Sequence, residues 1–253
     1  MTKKYNKFAI TKQLIENGTI PRYIYKYVNF SSAKEIINKN TIKFNLSSSF
    51  NDPFDGKAFI EANLPYEELD KITFLDRMDK TLKEVILKTI KKSDFAKMVN
   101  KYINDNTSIS CFSKVDDNLL MWSHYADEHK GMCFKFDISK DYDFFCIPVK
   151  VEYKKDFLIY KITEIKDFLL KQYSTKGLDW EYEQEVRVIK PNTVADYISF
   201  NKESLVEITF GSKCLDEFII EIKKLLSESG YNNTSLRIAK ISEKSYELNF
   251  NSI

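Results

Sequence analysis

The sequence predicts an α+β protein, in which a mixed, mostly antiparallel sheet carries packed helices. Segments that alternate like strands outnumber helical segments, and the two kinds do not follow each other regularly. The chain has 253 residues, 43% of them hydrophobic, and no Pro/Gly-rich linker divides it. We therefore expect a single domain over residues 1–253, with a charged helical insertion at about residues 66–105.

The N-terminal part begins with two predicted strands and a helix between them. "RYIYKYV" (22–28) and "TIKFNL" (41–46) have strand composition. The intervening "SSAKE" predicts a helix start, because Ser32 and Glu35 form the pattern of a capping box.

A turn follows at "NDPFDG" (51–56), where Asn and Asp bond their own backbone and proline fixes φ. Asn51, Asp52 and Asp55 either build this turn alone or also line a cleft, and both interpretations fit the sequence.

The middle and C-terminal parts supply the remaining elements. The expected strands are "TSISCFS" (107–113), "MCFKFD" (132–137), "FFCIPVKVEY" (144–153), "EYEQEVRV" (181–188), "LVEITF" (205–210), "SLRIAKI" (235–241) and "SYELNF" (245–250). The expected helices cover residues 116–131, ending at Gly131, and about 155–174 and 214–227.

The segment "EYEQEVRV" (181–188) has an unusual charge pattern. As a strand it would place Glu181, Glu183, Glu185 and Arg187 on one face, with carboxylates roughly 6.5–7 Å apart. Like charges at this spacing repel. Either the face is exposed to solvent and Arg187 neutralises an acid, or the acids serve a site. Trp180 and the residues of the other face would then pack in the core.

Composition excludes several classes of protein. A net charge of +2 argues against a dedicated duplex-DNA binder, which carries a concentrated basic face. The only histidines, His124 and His129, would lie about 140° apart around a helix, so we expect no metal site there. The chain shows neither a signal peptide nor an apolar run near 18 residues, and its four cysteines form no CxxC pair. We therefore expect a soluble cytoplasmic protein without a membrane partner.

Lys26 lies among apolar residues in the middle of the first strand. A lysine there suits a phosphate or a ribose hydroxyl. Alternatively it protects an edge strand from aggregation.

Several of these motifs occur together in one family. "YIYKYV", "FNDPFDG", "ISCFSK", "LLMWSHYADEHKGMCFKFD" and "WEYEQEVRVI" resemble, in combination and order, the bacterial domain of unknown function 2971. The resemblance covers about residues 23–250. The family name itself implies no activity.

The order of the motifs is also similar, more remotely, to ADP-ribosyltransferases. That similarity implies an ADP-ribosyltransferase-like fold and NAD as the cofactor. It further implies that Tyr25 or Lys26 would contact NAD, together with Ser113 and Tyr125. Glu185 would be the catalytic stabiliser and Glu183 the acid facing the acceptor, and Arg187 beside them would also contact NAD.

Cleavage of the nicotinamide–ribose bond develops positive charge, which a fixed carboxylate stabilises. We therefore expect an enzyme of the ADP-ribosyltransferase class whose acceptor is a nucleic acid or a protein. Families of this kind often serve in phage defence or as toxins, which implies a defence or antitoxin partner. Two alternatives are a Mg²⁺-dependent nuclease or phosphodiesterase using these acids, and a non-catalytic sensor or partner-binding protein.

Overall fold

The computed structural model describes residues 7–56, 59–61, 94, 97, 101, 104–157, 159–161, 171–191 and 193–253. Most of the predicted insertion at residues 66–105 lies outside these residues, as do residues 158 and 162–170 of the predicted helix at 155–174. The α-helices within the described ranges are α1 (Lys7–Glu16), α2 (Phe30–Lys39), α3 (Leu119–Tyr125) and α4 (Asp216–Glu228).

Within the same ranges, strands outnumber helices. They are β1 (Tyr23–Val28), β2 (Thr41–Leu46), β3 (Phe59–Glu61), β4 (Thr107–Ser113), β5 (Met132–Asp137), β6 (Val149–Lys150), β7 (Glu152–Lys154), β8 (Ile159–Lys161), β9 (Thr175–Gly177), β10 (Glu185–Pro191), β11 (Asp196–Ser199), β12 (Leu205–Phe210), β13 (Ser235–Ile241) and β14 (Leu248–Ser252).

The main sheet confirms the predicted α+β class. Its strand order is β11-β2-β4-β1-β5-β12-β13-β14, and β10 pairs with β4 and with β6. The pair β12–β13 is parallel, whereas the other pairs of this sheet are antiparallel. Two short parallel pairs, β3–β8 and β7–β9, lie outside it.

The sheet divides at β4. One edge of β4 pairs with β10 along its whole length, from Glu185↔Ser113 to Pro191↔Thr107. Its other edge pairs with β2 at Ser108 and Ile109 and with β1 at Ser113. Residues 110–112 therefore lie where β1 and β2 separate, and this separation forms the cavity described below.

Helices cover both faces of the sheet. Helices α2 and α4 pack on the apolar face, where Ile37 and Ile222 join a core that includes Phe134 and Val186. Helix α3 covers the opposite face, where Trp122 packs with a smaller cluster. Within the described ranges no helix is long and apolar enough to cross a bilayer.

Most predicted strands are confirmed, and the segments around positions 41–46, 107–113, 132–137, 205–210 and 235–241 have the predicted bounds. Three helix predictions were wrong. Within the helix expected over about 155–174, residues Ile159–Lys161 form strand β8. The N-cap of α2 is Asn29, whose side chain accepts a hydrogen bond from the backbone N–H of Ser32, so Ser32 and Glu35 form no capping box. Helix α3 ends at Tyr125 because residues 127–129 all have positive φ, which no helix accommodates.

The predicted acidic strand is shorter than expected. A 3₁₀ helix occupies Leu178–Glu183, and Gln184 follows in the left-handed region with φ of 44° before β10 begins at Glu185. This bend leaves Glu181 exposed while Glu183 and Glu185 point into the protein. Trp180, expected in the core, is only partly buried because it belongs to the 3₁₀ helix rather than to the strand.

Candidate active site

A cavity of about 260 Å³ opens where β1 and β2 separate from β4. Residues of β1, β2 and β4, helix α3, the 51–56 turn and an acidic wall that includes Asp55, Glu183 and Glu185 line it. The residues that matter for its chemistry are Lys26, Asp55, Ser113, Tyr125, Lys176, Glu183 and Glu185.

Arg187 is the centre of the acidic wall. It is completely buried, and its guanidinium pairs bidentately with Glu185 at 3.1 and 2.8 Å and with Asp55 at 2.8 and 2.6 Å. Its remaining N–H donates to the carbonyl of Tyr173 at 2.9 Å. All five donors of the guanidinium are thus engaged within the protein. Arg187, expected to contact NAD, has no donor left for a ligand and instead holds the wall together.

Glu185 is ionised and bound on both oxygens. Burial would raise its pKa, but the charges of Arg187 and Lys176 lower the pKa of Glu185 to about 2. Its backbone N–H also donates a hydrogen bond to the hydroxyl oxygen of Tyr153, at 2.8 Å. The carboxylate borders the cavity, yet its geometry is that of an anchored ion-pair partner.

Glu183 also borders the cavity, but its pKa is shifted in the opposite direction to that of Glu185. Tyr125 donates to its Oε1 at 2.5 Å, and the Lys176 ammonium donates to its Oε2 at 2.6 Å. Burial and the negative charge of Glu185 raise the pKa of Glu183, against the opposing effect of Lys176 and Tyr125. A carboxyl group with a raised pKa at a cavity is a candidate for acid–base or electrostatic catalysis.

The charges of the wall do not cancel. Lys176 lies 3.7 Å from Asp55 and 3.6 Å from Glu185 in addition to its bond with Glu183. Three buried carboxylates therefore share two buried cations, which leaves one net negative charge. Glu185 and Asp55 bind Arg187, and Glu183 binds Lys176 at 2.6 Å, so the three carboxylates share the excess negative charge, and Glu183 presents part of it to the cavity.

Lys26 supplies a cation on the floor of the same cavity. Strand β1 lies inside the sheet between β4 and β5, so the edge-strand interpretation of this lysine was wrong. The ammonium donates to the Ser110 hydroxyl at 3.2 Å and to the Cys111 carbonyl at 3.0 Å. Burial lowers its pKa, and within the described ranges no carboxylate lies within 4.0 Å of the ammonium. The negative charge of Glu185 favours the charged ammonium from beyond ion-pair distance, and a bound anion would stabilise this buried cation further.

Ser113 and Tyr125 both support Glu183. The Ser113 hydroxyl donates to the backbone carbonyl of Glu183 at 2.7 Å, which fixes the bend before β10. Tyr125, on α3, is in turn the acceptor for the Asn51 side-chain amide at 3.3 Å. Ser113 and Tyr125, which were expected to contact NAD, therefore both form hydrogen bonds with Glu183.

Tyr25 borders the cavity but points away from Lys26. Neighbouring residues of a strand face opposite sides, and the Tyr25 ring lies 5.9 Å from the ammonium of Lys135. Burial raises the pKa of the Tyr25 hydroxyl. The structure therefore brings Lys26, rather than Tyr25, toward the acidic wall.

The turn residues divide between two roles. Asp52 accepts a hydrogen bond from the N–H of Phe54 at 2.9 Å and builds the turn. Asp55 leaves the turn to bind Arg187, and Asn51 contacts Tyr125. The turn is thus structural and also forms part of the cavity.

The described residues contain no cluster of His, Cys, Asp or Glu that could hold a metal ion. His124 is exposed beside Tyr182, whereas His129 stacks on Trp122 with ring centroids 6.4 Å apart. The acidic oxygens that the metal-enzyme alternative would need are bound by Arg187 and Lys176.

The sequence did not reveal Lys176 as a site residue. It lies on the short strand β9, in a segment with no strong periodicity, seven residues before Glu183. The 3₁₀ helix Leu178–Glu183 between them brings the two side chains together, and the sequence was interpreted as a straight strand there. Asp55 lies in a segment with turn composition, and the sequence does not indicate that it pairs with Arg187, 132 residues away.

These observations define an α+β protein with a cavity at a divided sheet and a buried, net-negative wall of ion pairs. Residues 121–188 match the model of a family described as "Protein of unknown function (DUF2971)", which supports the resemblance identified from the motifs over this part of the expected range of residues 23–250. The matched segment runs from α3 into β10 and contains Tyr125, Lys176, Glu183 and Arg187. No curated protein and no solved structure matches the chain significantly.

Replacing Tyr125 with Phe is expected to raise the pKa of Glu183. The hydroxyl donates a hydrogen bond that favours the ionised carboxylate, so its loss favours the protonated form. The measurement is a pH titration followed by ¹³C NMR of the Glu183 carboxyl carbon. Tyr182→Phe is the matched control, because this neighbouring hydroxyl makes no contact with the carboxylate that affects its pKa. An unchanged or lower pKa in Tyr125→Phe would contradict the assigned hydrogen bond.

Proposed function

We propose that the protein is an ADP-ribosyltransferase-like enzyme that cleaves NAD in the cavity at the divided sheet. The observation that carries the proposal is that one cavity presents both a buried cation that forms no ion pair with any described residue, Lys26, and a carboxylate held in place by Tyr125 and Lys176, Glu183. NAD offers a pyrophosphate to the first and a ribose that becomes positively charged to the second.

The residues of the cavity fit this substrate. Lys26 and the exposed Lys43 are cations that suit the pyrophosphate. Phe50 and Tyr125 provide aromatic surface. Glu183 is held by Tyr125 and Lys176 in one orientation, as a preorganised electrostatic group must be.

In the proposed reaction, the bond between nicotinamide and ribose breaks and its electron pair passes to the nicotinamide nitrogen. The positive charge on the ribose carbon develops near the ionised carboxylate of Glu183. The acceptor then forms the new bond with its lone pair, and its proton passes to Glu183. Glu185 and Arg187 act as positioning residues, because their buried ion pairs hold the segment that carries Glu183 in place.

The proposal includes a cytoplasmic location. The four cysteines are free thiols in the structure, which fits a reducing compartment. The acceptor in this proposal is a nucleic acid or a protein, and action against phage or as a toxin would be consistent with modification of either.

Replacing Lys26 with Met is expected to weaken NAD binding by about 10- to 100-fold, the effect of losing a hydrogen bond from a charged group. At about 100 times its dissociation constant, NAD should stabilise the wild-type protein by roughly 2.7 kcal/mol. At the same NAD concentration this stabilisation should fall to about 0.4–1.4 kcal/mol in Lys26→Met. We therefore expect the rise in melting temperature to shrink to about half or less, while the protein without NAD keeps its stability because a desolvated charge has been removed.

Lys223→Met, on the exposed side of α4, is the matched control and should retain the NAD-dependent rise. A wild-type protein whose melting temperature NAD does not change would contradict the proposed function. An equal rise in the Lys26→Met variant would exclude Lys26 from the NAD site.

A further inference from the structure

A second cavity, of about 570 Å³, lies on the other side of the acidic wall. Lys176 borders both cavities, so the second one lies next to Glu183 without being part of the proposed NAD site. The turn at residues 52–54, the segment at 154–157 and the region from 171 to 180 form its lining. Its volume is within the range of small-ligand sites.

The second cavity has an aromatic lining that is open to solvent. Phe54 is 58% exposed and Phe157 is 46% exposed, and their ring centroids lie 5.7 Å apart. Trp180 lies on the same cavity, with the Lys176 ammonium 4.7 Å from its ring centroid. Large exposed aromatic side chains grouped at a cavity indicate a binding surface rather than ordinary surface composition.

Lysines surround these rings. Lys154, Lys155 and Lys171 are all exposed at the cavity, although Lys154 lies 3.4 Å from Glu152. The carboxylates of the lining are the exposed Asp156 and Asp179 and the buried Asp52. Aromatic rings that stack on bases, combined with lysines that contact phosphates, are the features by which proteins hold single-stranded nucleic acid. A flat base with a phosphate attached matches both parts of this lining, whereas an acidic peptide matches only the lysines.

We propose that the second cavity binds single-stranded nucleic acid through Phe54, Phe157 and the surrounding lysines. If the proposed function holds, the bound strand would be the acceptor of ADP-ribose, because the second cavity lies beside the wall that carries Glu183. This acceptor role rests on the proposed function. Binding itself requires only the residues of the second cavity and can be measured without NAD.

The test is the fluorescence anisotropy of a fluorescein-labelled 12-nucleotide single strand, as DNA and as RNA, titrated with the protein. Phe157→Ala is expected to weaken binding about tenfold, as the loss of one base–aromatic stack does. Tyr246→Ala removes an aromatic ring that is 98% exposed outside the cavity and should bind like wild type. Phe54→Ala provides a second variant, with the same expected loss.

The lysines predict a separate effect. In the double variant Lys155→Met with Lys171→Met, the plot of log affinity against log salt should become less steep by about 1.4, since each phosphate contact on a single strand contributes about 0.7. Lys223→Met with Lys240→Met removes two exposed lysines elsewhere and should leave the slope unchanged.

Three results would overturn the inference: no binding of either strand by wild type, equal affinities for Phe157→Ala and Tyr246→Ala, or equally strong competition by polyglutamate, which would indicate an acidic protein partner. The outcome is separable from that of the proposed function. NAD cleavage with strand binding that is insensitive to Phe157 refutes only the second cavity. Strand binding that depends on Phe157, without NAD cleavage, supports the second cavity and refutes the acceptor role.

Discussion

Replacing Glu183 with Gln is expected to slow nicotinamide release from NAD by about 100- to 1000-fold, the range seen when one preorganised electrostatic group is removed from an active site. The substitution keeps the shape of the side chain and removes its charge. The fold should survive, because Lys176 retains Asp55 at 3.7 Å and Glu185 at 3.6 Å. Two buried carboxylates then balance two buried cations.

Glu181→Gln is the matched control, since Glu181 belongs to the same 3₁₀ helix but is exposed to solvent. It should release nicotinamide at the wild-type rate. Rates are compared at a pH well above the usual value for glutamate, because the raised pKa of Glu183 shifts its ionisation upward. Equal rates for Glu183→Gln and wild type would remove Glu183 from the mechanism.

Replacing Arg187 with Met is expected to cost about 3–5 kcal/mol of the free energy of unfolding, as the loss of one partner of a buried ion pair does. Asp55 and Glu185 would remain buried without the guanidinium that binds both of them. Thermal unfolding measures the effect, and a domain of this size should lose roughly 2–4 °C per kcal/mol. Lysine is no substitute, because an ammonium cannot supply five donors in one plane.

Arg237→Met is the control for Arg187→Met. Arg237 also pairs with two carboxylates, Asp116 and Glu207, but its side chain is 21% exposed. Solvent screens such a pair, so we expect a cost of about 1 kcal/mol or less. A loss of stability in Arg187→Met no larger than that in Arg237→Met would contradict the structural role of Arg187.

The stability difference between wild type and Arg187→Met should also depend on pH. The pKa of Glu185 in the folded protein is lowered from 4.5 to about 2. Its contribution is therefore complete above about pH 4.5 and is lost as the pH falls toward 2. We expect the two melting temperatures to converge over this interval.

Local patterns predicted much of the fold, and long-range pairing determined what they missed. Strands with clean alternation, such as "TIKFNL" and "MCFKFD", have the predicted bounds because one face of each is buried. In the acidic segment, alternation predicted a strand that begins too early. Its alternation was real, but Gln184 takes a left-handed conformation that starts the strand only at Glu185.

The site shows the same division. Glu183, Glu185 and Arg187 were recognisable together because they share one short segment. Lys176, which lies seven residues before Glu183, was not identified, and Asp55, from a distant turn, was named only as a turn residue or as one lining a cleft. The row of acids is explained by this network: two of the predicted glutamates belong to a buried wall with one excess negative charge.

The most direct test of this account is the release of nicotinamide from NAD by the wild-type protein, measured by chromatography with cell lysate present to supply acceptors. We expect release by wild type and by Glu181→Gln, with release reduced by about 100-fold or more in Glu183→Gln. Intact NAD after incubation with wild type, together with a melting temperature that NAD does not raise, would contradict the claim that the net-negative wall acts on NAD.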